Sequence, residues 1–377
     1  MSRRTVDMEI DKAGREIISF KVDNLLAHRR RLRPNPGDNS IFDEKVEPIA
    51  NAIWKNQPSV LEDHSVGNTI AFATAKVHPR PPMQKGWFAI ESVFWRRVID
   101  GSVDHIPPIF HRPLIWLAAC VFFFVAGKAR RALLQNLRLV RPGSWSIINC
   151  MRVVQVFANF GWSLTDTAVY RILKARFRYE LEGFRFLEKM ASAKNAIVLT
   201  AHMGSYDLAA ALFTQKFDRQ VRMVRAPERD PLASQHVDLA LRESTSGAIK
   251  VGYSDDGTAL AFDLLNALRA GEIISIQGDR VVGEVAHAPV NFFDREIALP
   301  TGPFVLSLVS EAPIYPLFIV RTGYRKYKIV AREPIVCVRT SASRDQLIAE
   351  AMQHWGEVLQ EIVDGYWPQW FAFKSLV

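Results

Sequence analysis

One stretch limits the folds open to this chain more than any other: Ala196-Ile-Val-Leu-Thr-Ala-His202-Met-Gly204-Ser-Tyr-Asp207-Leu-Ala-Ala-Ala-Leu212. Its opening apolar run has no alternation, which reads as a strand buried on both faces. The run ends in a histidine and a glycine, and an apolar helix begins behind them. A strand leading into a loop and then a helix is the first half of a βα unit, and repeats of that unit build a parallel sheet.

The rhythm continues downstream. Strands are expected at 220–224, 249–253, 272–277, 290–293, 314–320 and 327–331. Helices are expected at 206–213, 232–244, 257–269, 302–311 and 344–364, with Asp256 and Thr301 as N-caps of the third and fourth. The fold class is therefore α/β, with a largely parallel central sheet flanked by helices. Active sites in such folds gather at the carboxyl ends of the strands.

The region upstream differs. From Lys85 to about Glu180 the pattern is helical and rich in aromatics, among them Trp95, Trp116, Phe122, Phe157 and Trp162. It contains the longest apolar run, Pro113 to Gly127. Roughly 15 residues make a helix of about 22 Å, short of a bilayer core of about 30 Å. Arg112 precedes the run, and Lys128, Arg130 and Arg131 follow it. Basic flanks on both sides suit a helix dipping into one leaflet better than one crossing; a buried core helix is the other reading. The segment 128–140 behind it is a basic amphipathic helix. Residues 1–90 read as an extension of unassigned role. It holds an amphipathic helix within 16–33 stopped by Pro34 and Pro36, a short helix at 44–56 and a proline-rich linker at 77–82. No apolar core follows the basic N-terminus, so no secretory signal is read.

Composition narrows the partners. The chain has 377 residues and a net charge of +9, with a pI of about 9.5. Such a surface suits a polyanion: an anionic bilayer, an acidic protein or nucleic acid. The basic residues are dispersed and no nucleic-acid recognition motif accompanies them, so nucleic acid is set aside. Cys120, Cys150 and Cys337 lie far apart, with no metal-ligand spacing and no disulfide framework.

The candidate chemistry lies at strand ends. On a regular helix a separation of five residues would turn His202 and Asp207 about 140° apart. They meet only if His202 lies in the loop and Asp207 in the first helical turn, with Gly204 letting the loop bend back. The carboxylate would then fix the imidazole tautomer, and the first-turn amides would face a developing oxyanion. A loop histidine and a capping acid are the plainer reading. No Gly-x-Ser-x-Gly elbow is present, which favours a histidine acting on the substrate's own hydroxyl. A second block, Gly278-Asp279-Arg280, also follows a strand. Arg280 suits a phosphate or carboxylate; the alternative is a structural pair with Asp279. Arg225, Thr301 and Gly302 are further candidates for substrate binding at the same rim.

Several pieces then fall in one order: the apolar helix with Lys128-Ala-Arg-Arg-Ala-Leu-Leu-Gln-Asn136-Leu, His202-Met-Gly-Ser-Tyr-Asp207, Val224-Arg-Ala-Pro, Gly278-Asp279-Arg280 with Val290-Asn-Phe-Phe, Leu299-Pro-Thr301-Gly302-Pro, Ala312-Pro-Ile-Tyr-Pro, and Pro368-Gln-Trp370-Phe-Ala-Phe. In these, residues from about 110 onward resemble the bacterial lipid A late acyltransferases, a branch of the lysophospholipid acyltransferase-like superfamily. The resemblance implies an acyltransferase domain over residues 91–377 that includes the membrane-associating helix 113–127. It implies an H-x4-D/E motif, mapped onto His202 as general base and Asp207 as its orienting acid, with no metal or cofactor. The implied donor is an acyl thioester on acyl carrier protein or coenzyme A. The implied acceptor is a lipid hydroxyl, at the cytoplasmic face of the bacterial inner membrane. The fifth motif position is aspartate, where many lipid A enzymes carry glutamate, so other glycolipids, amino-acid lipids and lipid-linked metabolites stay open as acceptors. A lipid esterase or thioesterase using the same pair is one alternative. A non-catalytic protein that presents lipid or binds a carrier at the membrane is the other.

Overall fold

A computed structural model describes residues 5–6 and 93–376, apart from 218, 227–237, 240, 242–244, 246, 255–257, 284 and 339–340. The helices expected at 16–33 and 44–56, the linker at 77–82, most of the helix at 232–244 and the Asp256 cap lie outside the described residues.

Four helices come first: α1 Val93–His105, α2 Pro108–Val125, α3 Gly127–Val140 and α4 Ser146–Leu173. The α/β part follows as β2 Arg178–Glu182, α5 Phe184–Ser192, β3 Ala196–Thr200, α6 Tyr206–Phe217, β4 Val221–Arg225, β5 Ile249–Tyr253, α7 Thr258–Arg269 and β6 Ile273–Gln277. Then come the hairpin β7 His287–Phe292 and β8 Arg295–Pro300, α8 Gly302–Ser310, β9 Ile314–Gly323, β10 Lys326–Ala331 and α9 Arg344–Tyr366. A two-residue strand, β1 Thr5–Val6, pairs with β2.

Among the described residues the main sheet has the order β1-β2-β10-β9-β3-β6-β4-β5. The strands β9, β3, β6, β4 and β5 are mutually parallel, while β10 is antiparallel to β9 and β2 runs parallel to β10. β3 lies at the centre, and all five of its residues are buried, as its unbroken apolar run requires. One face of the sheet packs on α7, α8 and α9 through Leu264, Phe304, Trp355 and Leu359. The other face carries α4, α5 and α6.

The apolar run is longer than its composition suggests. α2 begins at Pro108 and carries Pro113 inside it. Its 18 residues span about 27 Å. The helix is long and apolar enough to cross a membrane, yet only 17% of it is buried. Its inner side packs on α4, with Phe122 against Phe157. The side facing away displays Ile109, Phe110, Leu114, Leu117, Val121 and Phe124.

Candidate active site

β3 and β6 are parallel neighbours, with Thr200 opposite Gln277. Each strand stops there, and each loop places a polar residue two positions on: His202 after β3 and Asp279 after β6. The two side chains meet, with His202 Nδ1 2.6 Å from Asp279 Oδ1. The carboxylate has no solvent exposure, while the imidazole keeps 21%. Gly278 makes the approach possible. Its N–H donates to the Thr200 carbonyl, its own carbonyl accepts from Trp355 Nε1, and a Cβ there would strike the Leu199 side chain.

The partner expected for His202 was Asp207, and the structure separates them. Asp207 does lie in the first turn of α6 and His202 does lie in the loop. The loop, however, is pinned elsewhere. Gly204 adopts a φ of +55° and packs against the Ile319 carbonyl, where a Cβ would collide. Its N–H donates to the Gln369 carbonyl, and the His202 carbonyl accepts from the Phe371 N–H. So held, the imidazole faces Asp279, and Asp207 instead accepts from Arg225 Nη1 at 2.7 Å. The Tyr206 ring stands between the two pairs, edge-on to His202 at 6.5 Å and beneath the Arg225 guanidinium at 5.7 Å.

The remaining candidates divide. Arg280 stays at the site but donates through Nη1 to the Phe371 carbonyl at 2.6 Å, and its buried Nε has no partner among the described residues. Thr301 does not cap α8. Its backbone N–H and its hydroxyl both go to the Ala286 carbonyl at the foot of the β7–β8 hairpin. Gly302 merely opens α8. That helix packs on the face of the sheet opposite α6, so Thr301 and Gly302 are not brought to His202.

The electrostatics follow from the geometry. Burial and then the Arg280 charge hold the His202 imidazole below its ordinary range, against the pull of Asp279. Burial pushes the Asp279 carboxyl up, but the His202 and Arg280 charges and the hydrogen bonds from His202 and Trp370 outweigh it, so the group lies well below the usual carboxylate range. An ionised carboxylate only accepts, so Nδ1 carries the hydrogen and Nε2 keeps its lone pair. The arrangement can take a proton at Nε2.

Two cavities flank the N-terminus of α6. The first, about 1110 Å³ out to its open mouth, is apolar and runs between α6 and the sheet. Thr200 and Gln277 line it at the strand ends, and Val198, Met223, Phe213 and Ile273 line its deeper part. The small side chains of Ala209 and Ala210 leave it room. The second, about 820 Å³, has a mixed wall, more polar than that of the first, and lies between α1, α4 and α6; Ile99, Leu164 and Leu208 line it beside Asp100, Arg171 and Asp207. Tyr206 borders both.

The model of the bacterial lipid A biosynthesis acyltransferase family matches residues 94–376, which takes in every element from α1 to α9. The chain belongs to this family. It is an acyltransferase of the lipid A biosynthesis type, as the ordered pieces of sequence suggested. No curated protein matches it.

Two further side chains belong to this site. Sequence reasoning passed over Trp370, whose Nε1–H donates to Asp279 Oδ2 at 2.9 Å. It also passed over Gln277, whose buried Nε2 in the cavity wall has no partner among the described residues. A signal for Gln277 existed in its place at the end of β6. Trp370 had none beyond its place in the C-terminal motif.

Proposed function

We propose that this acyltransferase moves a fatty acyl chain from an acyl thioester, with acyl carrier protein as the favoured carrier, to a hydroxyl of a glycolipid or related lipid. The observation that carries the reading is the 2.6 Å bond between His202 Nδ1 and the fully buried Asp279. His202 Nε2 takes the proton of the acceptor hydroxyl, and the oxygen attacks the thioester carbonyl carbon. The tetrahedral intermediate collapses with cleavage of the C–S bond. The leaving sulfur takes the proton back from the imidazolium, so ester and free thiol are formed and the histidine is regenerated. General-base catalysis of this kind contributes about 10²–10⁴-fold. The N-terminus of α6 offers a positive dipole end to the oxyanion. Asp279 orients the base, and Asp207 serves Arg225.

The apolar cavity suits the acyl chain, and the mixed one, with Asp100, Arg171 and Asp207 in its wall, suits the acceptor headgroup, with the Tyr206 turn between them. The exposed face of α2 enters one leaflet. Leu117 is 63% exposed and Phe124 73%, which is costly in water and favourable in lipid. Arg112, Lys128 and Arg131 ring it and suit anionic headgroups, as at the cytoplasmic face of a bacterial inner membrane. Lipid mass spectrometry of cells carrying wild type, His202→Ala or empty vector tests the reading. A lipid that gains one acyl mass with wild type alone supports it and names the acceptor. Equal lipid profiles for wild type and His202→Ala, with both proteins in the membrane fraction, refute it.

A further inference from the structure

The C-terminal segment after α9 crosses from the membrane-side helices to the reaction centre. At its outer end Asn136 of α3, 2% exposed, donates to the carbonyls of Ala372 and Lys374 at 2.9 and 2.8 Å and accepts from the Leu376 N–H at 3.1 Å. At its inner end the segment clasps the loop after β3. Phe371 N–H donates to the His202 carbonyl, Gln369 accepts from Gly204 N–H, and Met203 and Trp370 form an antiparallel bridge. Gln369 also exchanges side-chain hydrogen bonds with the backbone N–H and carbonyl of Arg321 on β9. The clasp thus fixes the backbone that carries the histidine.

Trp370, 4% exposed, reaches from this segment to the far oxygen of Asp279. A carboxylate has two equivalent oxygens and a broad χ2 well. With Oδ1 alone engaged, the buried group could rock and carry the imidazole with it. An indole N–H on Oδ2 removes that freedom. Indole is a donor only and does not titrate, so it fixes the carboxylate and takes no part in proton traffic.

We propose that Trp370 is a positioning residue for acyl transfer: held by the C-terminal clasp, it locks the Asp279 carboxylate so that His202 Nε2 is presented to the acceptor hydroxyl. The inference rests on the reading of His202 as the general base. The charged groups around the imidazole are Asp279 and Arg280 from the loop after β6, Arg225 from β4 and Asp207 from α6; Gln369–Ala372 brings none. The pH response of a Trp370 variant therefore reports on the carboxylate.

The test uses the full chain in detergent, lauroyl-acyl carrier protein as donor and a bacterial lipid extract as acceptor. Trp370→Phe keeps a ring and removes the N–H. The expected result is a loss of about tenfold or more in kcat, a fraction of what the base supplies, with KM unchanged for both substrates. The negative charge on Asp279 is then no longer shared with a donor and favours the imidazolium. The acid limb of kcat should therefore move to higher pH by about half a unit or more, where one unit corresponds to 1.36 kcal/mol. The limb position belongs to the folded molecules, so partial misfolding does not obscure it. An unmoved limb with unchanged kcat, or a raised KM with an unmoved limb, overturns the proposal. If wild type transfers no acyl chain, or His202→Ala is as active, the reading of the base has failed instead.

Discussion

Asp279→Asn separates the two acids that could serve His202. The change keeps the size of the side chain but leaves one oxygen where there were two. Trp370 Nε1 is a donor only and claims that oxygen. The amide NH2 then faces His202 Nδ1 across the 2.6 Å contact and can only donate. Nδ1 must accept, the imidazole hydrogen moves to Nε2, and the base has no lone pair toward the acceptor. The alternative rotamer puts two donors, Trp370 Nε1–H and the amide, against each other in a site with no solvent exposure on the acid. That costs about 1–3 kcal/mol for the unmade bond. The equivalent exchange in a serine-protease triad lowers kcat about 10⁴-fold, so a fall of about 10³–10⁴-fold is expected here, with KM little changed. Asp207→Asn retains an oxygen for Arg225, and the lost ion pair is partly exposed, 12% and 22% on its two sides. A loss of about tenfold or less is expected. Steady-state acyl transfer by both variants decides, with circular dichroism to verify folding. The reverse ranking, with Asp207→Asn dead and Asp279→Asn active, would refute the assignment of Asp279 as the orienting acid.

Three further outcomes are expected. The base must be unprotonated to act, and burial and Arg280 depress its proton affinity, so the acid limb of kcat should fall below the unperturbed histidine value of about 6.5. A pH–rate profile with its acid limb above that value contradicts the description of the site. Asp166 is 2% exposed and accepts from Tyr327 Oη at 2.7 Å and Arg321 Nε at 2.9 Å. Asp166→Ala strands both, and because Arg321 keeps 16% exposure the expected loss sits at the low end, about 3 kcal/mol, read by denaturant unfolding in detergent. On α2, Leu117→Glu with Phe124→Glu should lower partitioning to anionic vesicles at least tenfold, since burial of each native side chain is worth about 1.5–3 kcal/mol; unchanged flotation would exclude this face from the contact.

The parts of the fold that were legible are those with a clear local signal. β3 ends where its apolar run ends, β5 has the expected bounds Ile249–Tyr253, and α8 begins at the Gly302-Pro303 signal. The strand β8 was missed because its hairpin turn carries no glycine: Phe293 and Asp294 take φ values of 49° and 57°, and a phenylalanine there gives no turn signal. β2 was missed because it is a short, charged strand separated from α5 by Gly183 alone. Tyr179 and Leu181 alternate inward, but five residues beside a helix are a weak pattern. At the site, both strand ends were readable, and so were His202 and Asp279 singly. Their meeting was not. β3 and β6 are neighbours only because β4 and β5 pass outside β6, a choice made by long-range packing rather than by any local signal. The nearer acid in sequence, Asp207, therefore looked the better partner.

If His202 draws a proton from a lipid hydroxyl to move an acyl chain, thiol release and ester formation are coupled through the acceptor. The most direct test follows thiol release from lauroyl-acyl carrier protein by the purified chain, with and without acceptor lipid, alongside His202→Ala. The expected result is thiol release that requires the acceptor, matched one for one by new acyl ester, and a fall of about 10²-fold or more in the variant. Thiol release that proceeds equally without acceptor and yields free fatty acid, or a His202→Ala protein that transfers as fast as wild type, would contradict it.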